Sequence, residues 1–265
     1  MSTEVIDYGV CRLAIVPVRK APGDGAEQVT QLLFGDHYEV YSVSPDRRWA
    51  SIRIITDQCE GWIDNRQHHT ITPEYLEQIN QADFKIILDV AATILYKKSP
   101  LTIVLGSIVP ISTTELFKIE EQLLFNGEAK SLNQRRDFDF LKTLALKYMN
   151  APSQAGGKTP FGIDAAGLVQ MVFKICGYRI PRDVIQQSAQ GKKVKSLADA
   201  KPGDVAFFSD QEHKSFHVGI LMEDDKIIHA AGKVRLDHIN EEGIMNTEIK
   251  IYTHHTTGIR RILTP

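Results

Sequence analysis

From residue 8 to residue 70, apolar residues come in short runs broken by turn formers. Cys11 to Val18 is the first β-rich run, followed by the turn Ala21-Pro22-Gly23-Asp24-Gly25. Gln28 to Leu33, Tyr38 to Val43, Trp49 to Ile54 and Gly61-Trp62-Ile63 follow, separated by Phe34-Gly35-Asp36 and Ser44-Pro45-Asp46. Trp49 to Ile54 alternates large apolar and polar residues with period two. Five strands with turns at short spacing predict a small barrel. After a helix-like or loop link at 72–77, a second β unit is expected over residues 84–130. Its strands are Lys85 to Leu88, Ala92 to Tyr96, Thr102 to Leu105 and Ile108-Val109-Pro110, with Pro100, Gly106 and Phe125-Asn126-Gly127-Glu128 marking turns.

Near Gln134 the period changes. Asp137 to Met149 spaces apolar residues at helical intervals, ended by Asn150-Ala151-Pro152. Ala166 to Ile175 reads as a second helix, with Leu168, Val169, Val172, Phe173 and Cys176 on one face and Gly177 as its stop. Strands return at Val205 to Phe208, His217 to Met222 and Lys226 to Ala230, the last two joined through Glu223-Asp224-Asp225. The final third is therefore α+β, helices first and an antiparallel sheet after.

Composition adds bounds. The 265 residues are 43% hydrophobic and 24% charged, with formal net charge −2. A near-neutral chain has no global pull toward nucleic acid or an anionic membrane. Lys192-Lys193-Val194-Lys195 is locally basic and reads as a solvated loop. The apolar stretches at 86–96 and 101–111 are broken by charge, Gly or Pro and too short for a membrane span. Cys11, Cys59 and Cys176 are odd in number and widely spaced, which excludes a zinc ribbon, a CxxC redox motif and a disulfide framework. The start, Met1-Ser2-Thr3-Glu4-Val5, has neither a basic nor an apolar leader region. The expected compartment is the cytoplasm, or the periplasm if a leader has been removed.

Two histidines stand in strand contexts. His217 opens one strand and His229 ends the next, so the hairpin can bring them together on one face. Such a pair serves as a base and its orienting partner, or each ring bonds within the sheet. A two-histidine metal site lacks further ligands at suitable spacing, and no metal or cofactor is expected. A nucleophile belonging to this base fits the start of the helix after Gly162-Ile163-Asp164, where free N–H groups would lower a thiol's pKa. The residues there are Ala165 and Ala166.

The stretch from Gly156 to Gln170, Gly-Gly-Lys-Thr-Pro-Phe-Gly-Ile-Asp-Ala-Ala-Gly-Leu-Val-Gln, resembles the signature of the NlpC/P60 cysteine peptidases, in which a loop leads to Asp-Cys-Ser-Gly and a helix. Ile180 to Asp183, Lys201 to Phe208, Phe216 to Ile220 and Ile227 to Gly232 match further segments of that family in order. Gln31 to Gly35, Trp49 and Glu60 to Asp64 resemble bacterial SH3-like domains that precede the peptidase domain in a subgroup similar to γ-D-glutamyl-L-diamino acid endopeptidases, also called dipeptidyl-peptidase VI. The resemblance implies SH3-like barrels over 1–70 and 71–130, the second with its linker, and a papain-like domain over 131–265. It places the lost nucleophile at Ala165, the catalytic base at His217 and its partner at His229. It assigns Asp164, Asp183, Ser153, Ala155 and Ala166 to substrate binding, with Asp183 meeting a free substrate amine. Ser153 and Ala155 replace a tyrosine and a tryptophan, and Ala166 replaces a serine. Two readings of Ala165 stay open. One is an inactive homologue that binds a peptide or muropeptide fragment, or a protein partner through its SH3-like domains. The other is a Cys→Ala variant of an active peptidase cleaving γ-D-Glu-diamino acid bonds. Trapping a substrate requires only the nucleophile to change, so the other three departures favour natural loss.

Overall fold

The computed structural model describes residues 4–81, 84–109, 124–125, 127–209 and 216–263. Pro110 and Asn126, read from sequence as strand and turn, lie outside these residues. The chain divides into two compact units, Met1–Gln134 and Arg135–Pro265.

The first unit begins with one antiparallel sheet: β1 (Asp7–Val10), β2 (Ile15–Arg19), β3 (Gln28–Leu33), β4 (His37–Val43), β5 (Trp49–Ile54), β6 (Glu60–Asp64) and β7 (Thr70–Ile71). Their order is β3-β2-β6-β5-β4-β1-β7. The run expected from Cys11 to Val18 is two segments. Cys11 bonds the backbone of Gly35 and Asp36, residues 12–14 bend, and the strand starts at Ile15. The bend is needed because β1 pairs with β4 and β7, whereas β2 pairs with β3 and β6. Val16, Val18, Leu32, Tyr38, Ile52, Ile54 and Ile63 fill the centre, as the alternation of side chains along paired strands requires.

A helix, α1 (Pro73–Gln81), leads to two three-stranded sheets. Their strands are β8 (Lys85–Ile87), β9 (Ala91–Tyr96), β10 (Ser99–Val104), β11 (Ile108–Val109), β12 (Leu124–Phe125) and β13 (Ala129–Ser131). The sheets run β10-β9-β12 and β11-β8-β13. Pro100 is not a turn residue. It pairs with Leu95 on the edge strand β10, where a missing N–H is tolerated. The turn is Lys97-Lys98, both at positive φ, the geometry that matches strand twist in a tight hairpin.

The turn Phe34-Gly35-Asp36 has a role that its sequence hides. Phe34 is fully buried and belongs to the core of the second sheet pair, with Ile87, Ile94, Ile103 and Val109. Ile108 N–H donates to the Phe34 carbonyl at 2.8 Å. Gly35 has φ +86°, and a Cβ there would lie 2.0 Å from the Ile108 carbonyl oxygen. Only glycine allows that approach.

The second unit contains α2 (Phe138–Leu146), the hairpin β14 (Lys158–Thr159) and β15 (Gly162–Ile163), then α3 (Ala165–Ile175) and α4 (Val184–Ser188). Its strands follow: β16 (Lys192–Val194), β17 (Val205–Ser209), β18 (Phe216–Leu221), β19 (Lys226–Ala231), β20 (Lys233–Asn240), β21 (Gly243–Met245) and β22 (Tyr252–Arg261). Lys192-Lys193-Val194, expected in a loop, is strand β16, because Val194 turns inward opposite Ile259. The sheet order is β16-β22-β17-β18-β19-β20-β21, and β21 also pairs with β22. That last pairing closes six strands into a barrel filled by Ala206, Phe208, Leu221, Ile227, Ile239, Ile244 and Ile259. Helix α3 packs on β18 and β19. Between Ala166 and Ile175 only Lys174 escapes burial, so the helix is held by packing along nearly its whole circumference. The fold is α+β: a papain-like domain preceded by SH3-like β modules.

Phe34→Ala empties a fully buried aromatic site and should cost about 3–5 kcal/mol. Urea denaturation of the full chain measures this, and a loss under about 1 kcal/mol would show that Phe34 does not bind the two sheet systems together.

Candidate active site

Helix α3 starts where Asp164 stops being helical. Its backbone is extended, and its Oδ1 accepts from Gly167 N–H at 2.7 Å, the bond expected of an N-cap. Oδ2 accepts from Gly156 N–H at 2.8 Å and from the Arg182 guanidinium at 2.5 Å. One carboxylate thus ties the loop before the hairpin, the helix start and the segment before α4. Asp164 was expected to bind substrate, yet its two oxygens already hold three donors of the chain. Gly167 lets the hairpin lie against the helix: a Cβ there would come within 2.3 Å of the Gly157 carbonyl oxygen.

Ala165 is the first residue of α3 and Ala166 the second. The Gly167 N–H is taken by Asp164 Oδ1, and the Leu168 N–H by the Asp164 carbonyl at 2.9 Å. Among the described residues the N–H groups of Ala165 and Ala166 have no acceptor, as the first turn of a helix leaves them. The helix therefore offers two aligned donors at its positive end. The position carries neither thiol nor hydroxyl.

The histidines lie on the barrel strands that α3 covers. His229 pairs with Gly219, so His217 is its diagonal neighbour across β18 and β19. His217 Nε2 lies 2.8 Å from His229 Nδ1, and His229 Nε2 lies 3.0 Å from Asp237 Oδ2 on β20. Strand alternation puts these side chains on the face that also carries Leu221, Ile227 and Ile239, so the relay is a polar layer of the barrel interior. It is shielded from water: His229 and Asp237 are each 1% exposed, and His217 is 9% exposed.

The direction of the bonds follows from chemistry. An ionised carboxylate only accepts, so His229 Nε2 carries a proton. A neutral His229 then accepts at Nδ1, and His217 Nε2 donates to it. This leaves the lone pair of His217 on Nδ1, for which the described residues supply no donor. Asp237 is held in turn by Arg235, whose Nη2 donates to Oδ1 at 3.1 Å, and by the backbone N–H and hydroxyl of Thr247, each at 2.9 Å. Burial raises the Asp237 pKa, but the bonds from His229, Thr247 and Arg235 outweigh it and hold the carboxyl well below its usual range. Burial pushes the His217 pKa far down, and the neighbouring His229 and His254 add to that effect.

The remaining expected residues are exposed. Asp183 is exposed and caps α4, its Oδ1 accepting from Gln186 N–H at 3.0 Å. Ser153 and Ala155 are exposed on the loop before the hairpin, where Ser153 N–H donates to the Gly232 carbonyl. Sequence reading missed Asp237, Arg235 and His254. The Arg-x-Asp spacing two residues apart on a strand was the available signal for the first two, because period two puts both on one face. Among the described residues no group of three His, Cys, Asp or Glu side chains forms a metal site. No helix among them is long and apolar enough to cross a membrane.

Two predictions follow from this geometry. Asp164→Ala removes the cap of α3 and one carboxylate contact of the buried Arg182, and should cost about 1–3 kcal/mol, read as a lower urea midpoint; an unchanged midpoint would mean that another acceptor takes over both roles. His217 is held neutral in the fold, so below about pH 6.5 the unfolded chain takes up a proton that the fold refuses. The stability linked to that neutrality is complete above this pH and is lost as pH falls. His217→Gln should therefore shrink the drop in denaturation midpoint between pH 7 and 5. Parallel profiles for the two proteins would contradict the neutral assignment.

Comparison with known proteins accounts for this layout. Residues 151–260 match the NlpC/P60 family, and residues 18–67 match the bacterial dipeptidyl-peptidase Sh3 domain. The chain is 26% identical over 221 residues to the γ-D-glutamyl-L-lysine dipeptidyl-peptidase of Bacillus subtilis (strain 168), covering 76% of this chain and 71% of that protein. It is 26% identical over 192 residues to dipeptidyl-peptidase 6 of Lysinibacillus sphaericus, covering 68% of each. A crystal structure of an NlpC/P60 family protein from Bacillus cereus ATCC 10987 superposes with a TM-score of 0.79 at 19% identity, covering 97% of this chain and all of that one, which shows a shared fold. The chain is thus built from an NlpC/P60 domain and, N-terminal to it, a bacterial SH3 domain of the dipeptidyl-peptidase type.

Proposed function

We propose that the NlpC/P60 domain binds a peptidoglycan-derived peptide and does not cleave it through an acyl-enzyme. The ligand class is a γ-D-glutamyl-diamino acid peptide, by analogy with the activities for which its relatives are named. One observation carries the reading: the His217–His229–Asp237 relay is complete, while the first residue of α3, the helix that packs on the strands of both histidines, is alanine. Covalent catalysis splits amide hydrolysis into two steps through a nucleophile, and a methyl group cannot supply one. What remains suits an amide as ligand. The Ala165 and Ala166 N–H groups fit its carbonyl oxygen, and the His217 Nδ1 lone pair fits its N–H.

Exposed Ser153 and Ala155 widen the entrance relative to a site with two large aromatics there, so a bulkier peptide than the parent substrate is accommodated. The intact relay also suits a peptidase silenced at residue 165 alone, and one substitution separates the two readings. Incubated with L-Ala-γ-D-Glu-diaminopimelate or its L-Lys counterpart, the chain should show saturable binding by calorimetry and no free diamino acid by mass spectrometry. Release of diamino acid would refute the non-cleaving reading. Ala165→Cys should leave turnover absent or weak, because Ser153 and Ala155 still differ; full turnover would instead support the silenced peptidase.

A further inference from the structure

A third imidazole belongs to the barrel layer that holds the relay, and neither the motifs nor the resemblance pointed to it. His254 lies on β22, where its neighbour in register is Ile244 of the barrel core, so its side chain shares the interior face. Its ring stacks on His217 with centroids 4.3 Å apart and planes 25° apart. Its centroid is 6.2 Å from that of His229, nearly perpendicular. Phe208 of β17 abuts both His217 and His254, at 6.3 and 6.4 Å. Thr253 Oγ1 lies 2.9 Å from His254 Nδ1. His217 is thus gripped on an edge by His229 and on a face by His254.

We propose that His254 is a positioning residue of this site: stacked on His217, it fixes the plane of that ring and keeps it a neutral imidazole, an acceptor for a ligand N–H and not the imidazolium partner of a thiolate. The proposal rests on the reading of His217 as the site's acceptor. Burial is the larger cause of that neutrality, and like-charge exclusion from the stacked ring adds to it. Two imidazoles 4.3 Å apart do not both take a proton cheaply. His254 is half-buried and His217 is 9% exposed, so of the two rings His217 is the one less able to carry a charge. The charged and titratable surroundings of His217 support the same order. From β19 it meets His229, and from β22 His254; Asp237 and Arg235 of β20 act on it only through His229. Helix α3 opens Ala165-Ala166-Gly167-Leu168-Val169 with no titratable side chain, β17 contributes Phe208, and the Asp183 of α4 is exposed and bonded to its own helix.

A cysteine peptidase works from the opposite arrangement, in which the histidine keeps a proton beside a thiolate. This neighbourhood opposes that state independently of what occupies position 165. NMR titration of histidine ring signals in the intact chain tests the proposal without any ligand, so its outcome stands apart from that of the binding reading. His254→Phe keeps a flat ring against His217 and removes the charge; His254→Gln does the same without a ring should the first variant misfold. In both, the His217 midpoint should rise by about one unit. An unchanged midpoint would reduce His254 to a packing wedge and overturn the proposal, as would a His217 that titrates at or above the ordinary histidine range in the unaltered chain. A second readout uses an introduced thiol. In Ala165→Cys the pH midpoint for alkylation with iodoacetamide, already lowered by the helix start, should fall further in Ala165→Cys/His254→Phe. Equal midpoints in the two variants would contradict the role given to His254.

Discussion

An ionised carboxylate accepts hydrogen bonds and cannot donate them, and this asymmetry at Asp237 orders the whole site. Because Asp237 Oδ2 takes the His229 proton, His229 must present a lone pair to His217, and His217 must present one at its far nitrogen. The orientation of the acceptor is therefore fixed two side chains away from where it acts. The cost of burying the carboxylate is offset by four donors from Arg235, Thr247 and His229. Removing any member would leave a buried polar group unmatched, at about 1–3 kcal/mol for a neutral group and more for a charged one.

That accounting separates the positions that have changed from those retained. Ser153 and Ala155 are exposed on a loop, and large aromatics can be lost there with little effect on the core. His229, Asp237 and Arg235 sit inside the barrel, each satisfying another. Asp164 is kept for a reason unrelated to peptide cleavage: it caps α3 and closes on Gly156 and Arg182. Asp183 likewise caps α4. A retained Asp-x-x-Gly motif thus testifies to a helix start, whereas a retained His–His–Asp chain testifies to the interior of a closed barrel. Neither by itself testifies to turnover.

Sequence pattern made the local part of this legible. Apolar runs between turn formers located most strands of the first unit and β17, β18 and β19 of the second, and period 3.6 located α2 and α3, because those signals are written in neighbouring residues; β20, β21 and β22 went unread. His217 and His229 could be paired because a three-residue turn joins their strands. Asp237 and His254 could not, since they reach the same layer only when β20 and β22 take their places in the barrel. The same limit hid Phe34. As a residue before a glycine it reads as a turn, and its burial depends on strands fifty or more residues later. The Lys192-Lys193-Val194 strand was hidden by charge, since only Val194 faces inward and the pairing with β22 decides its state. Non-local pairing carries its information in the partner, so one strand read alone does not contain it.

The relay and the missing thiol then bear on each other. A histidine that must hold a proton for a thiolate gains from an acidic or solvated setting. His217 has a dry one, with two further imidazoles against it and, among the described residues, no carboxylate in contact. Such a ring is a weak cation and a good acceptor. Among the described residues the first two N–H groups of α3 have no acceptor, and their alignment comes from Asp164 rather than from residue 165. The donor pair and the acceptor both survive without a nucleophile because each is produced by structure that the fold needs anyway: a helix must have a cap, and a closed barrel must satisfy its buried polar layer. Both features are therefore produced by the fold whatever side chain stands at position 165.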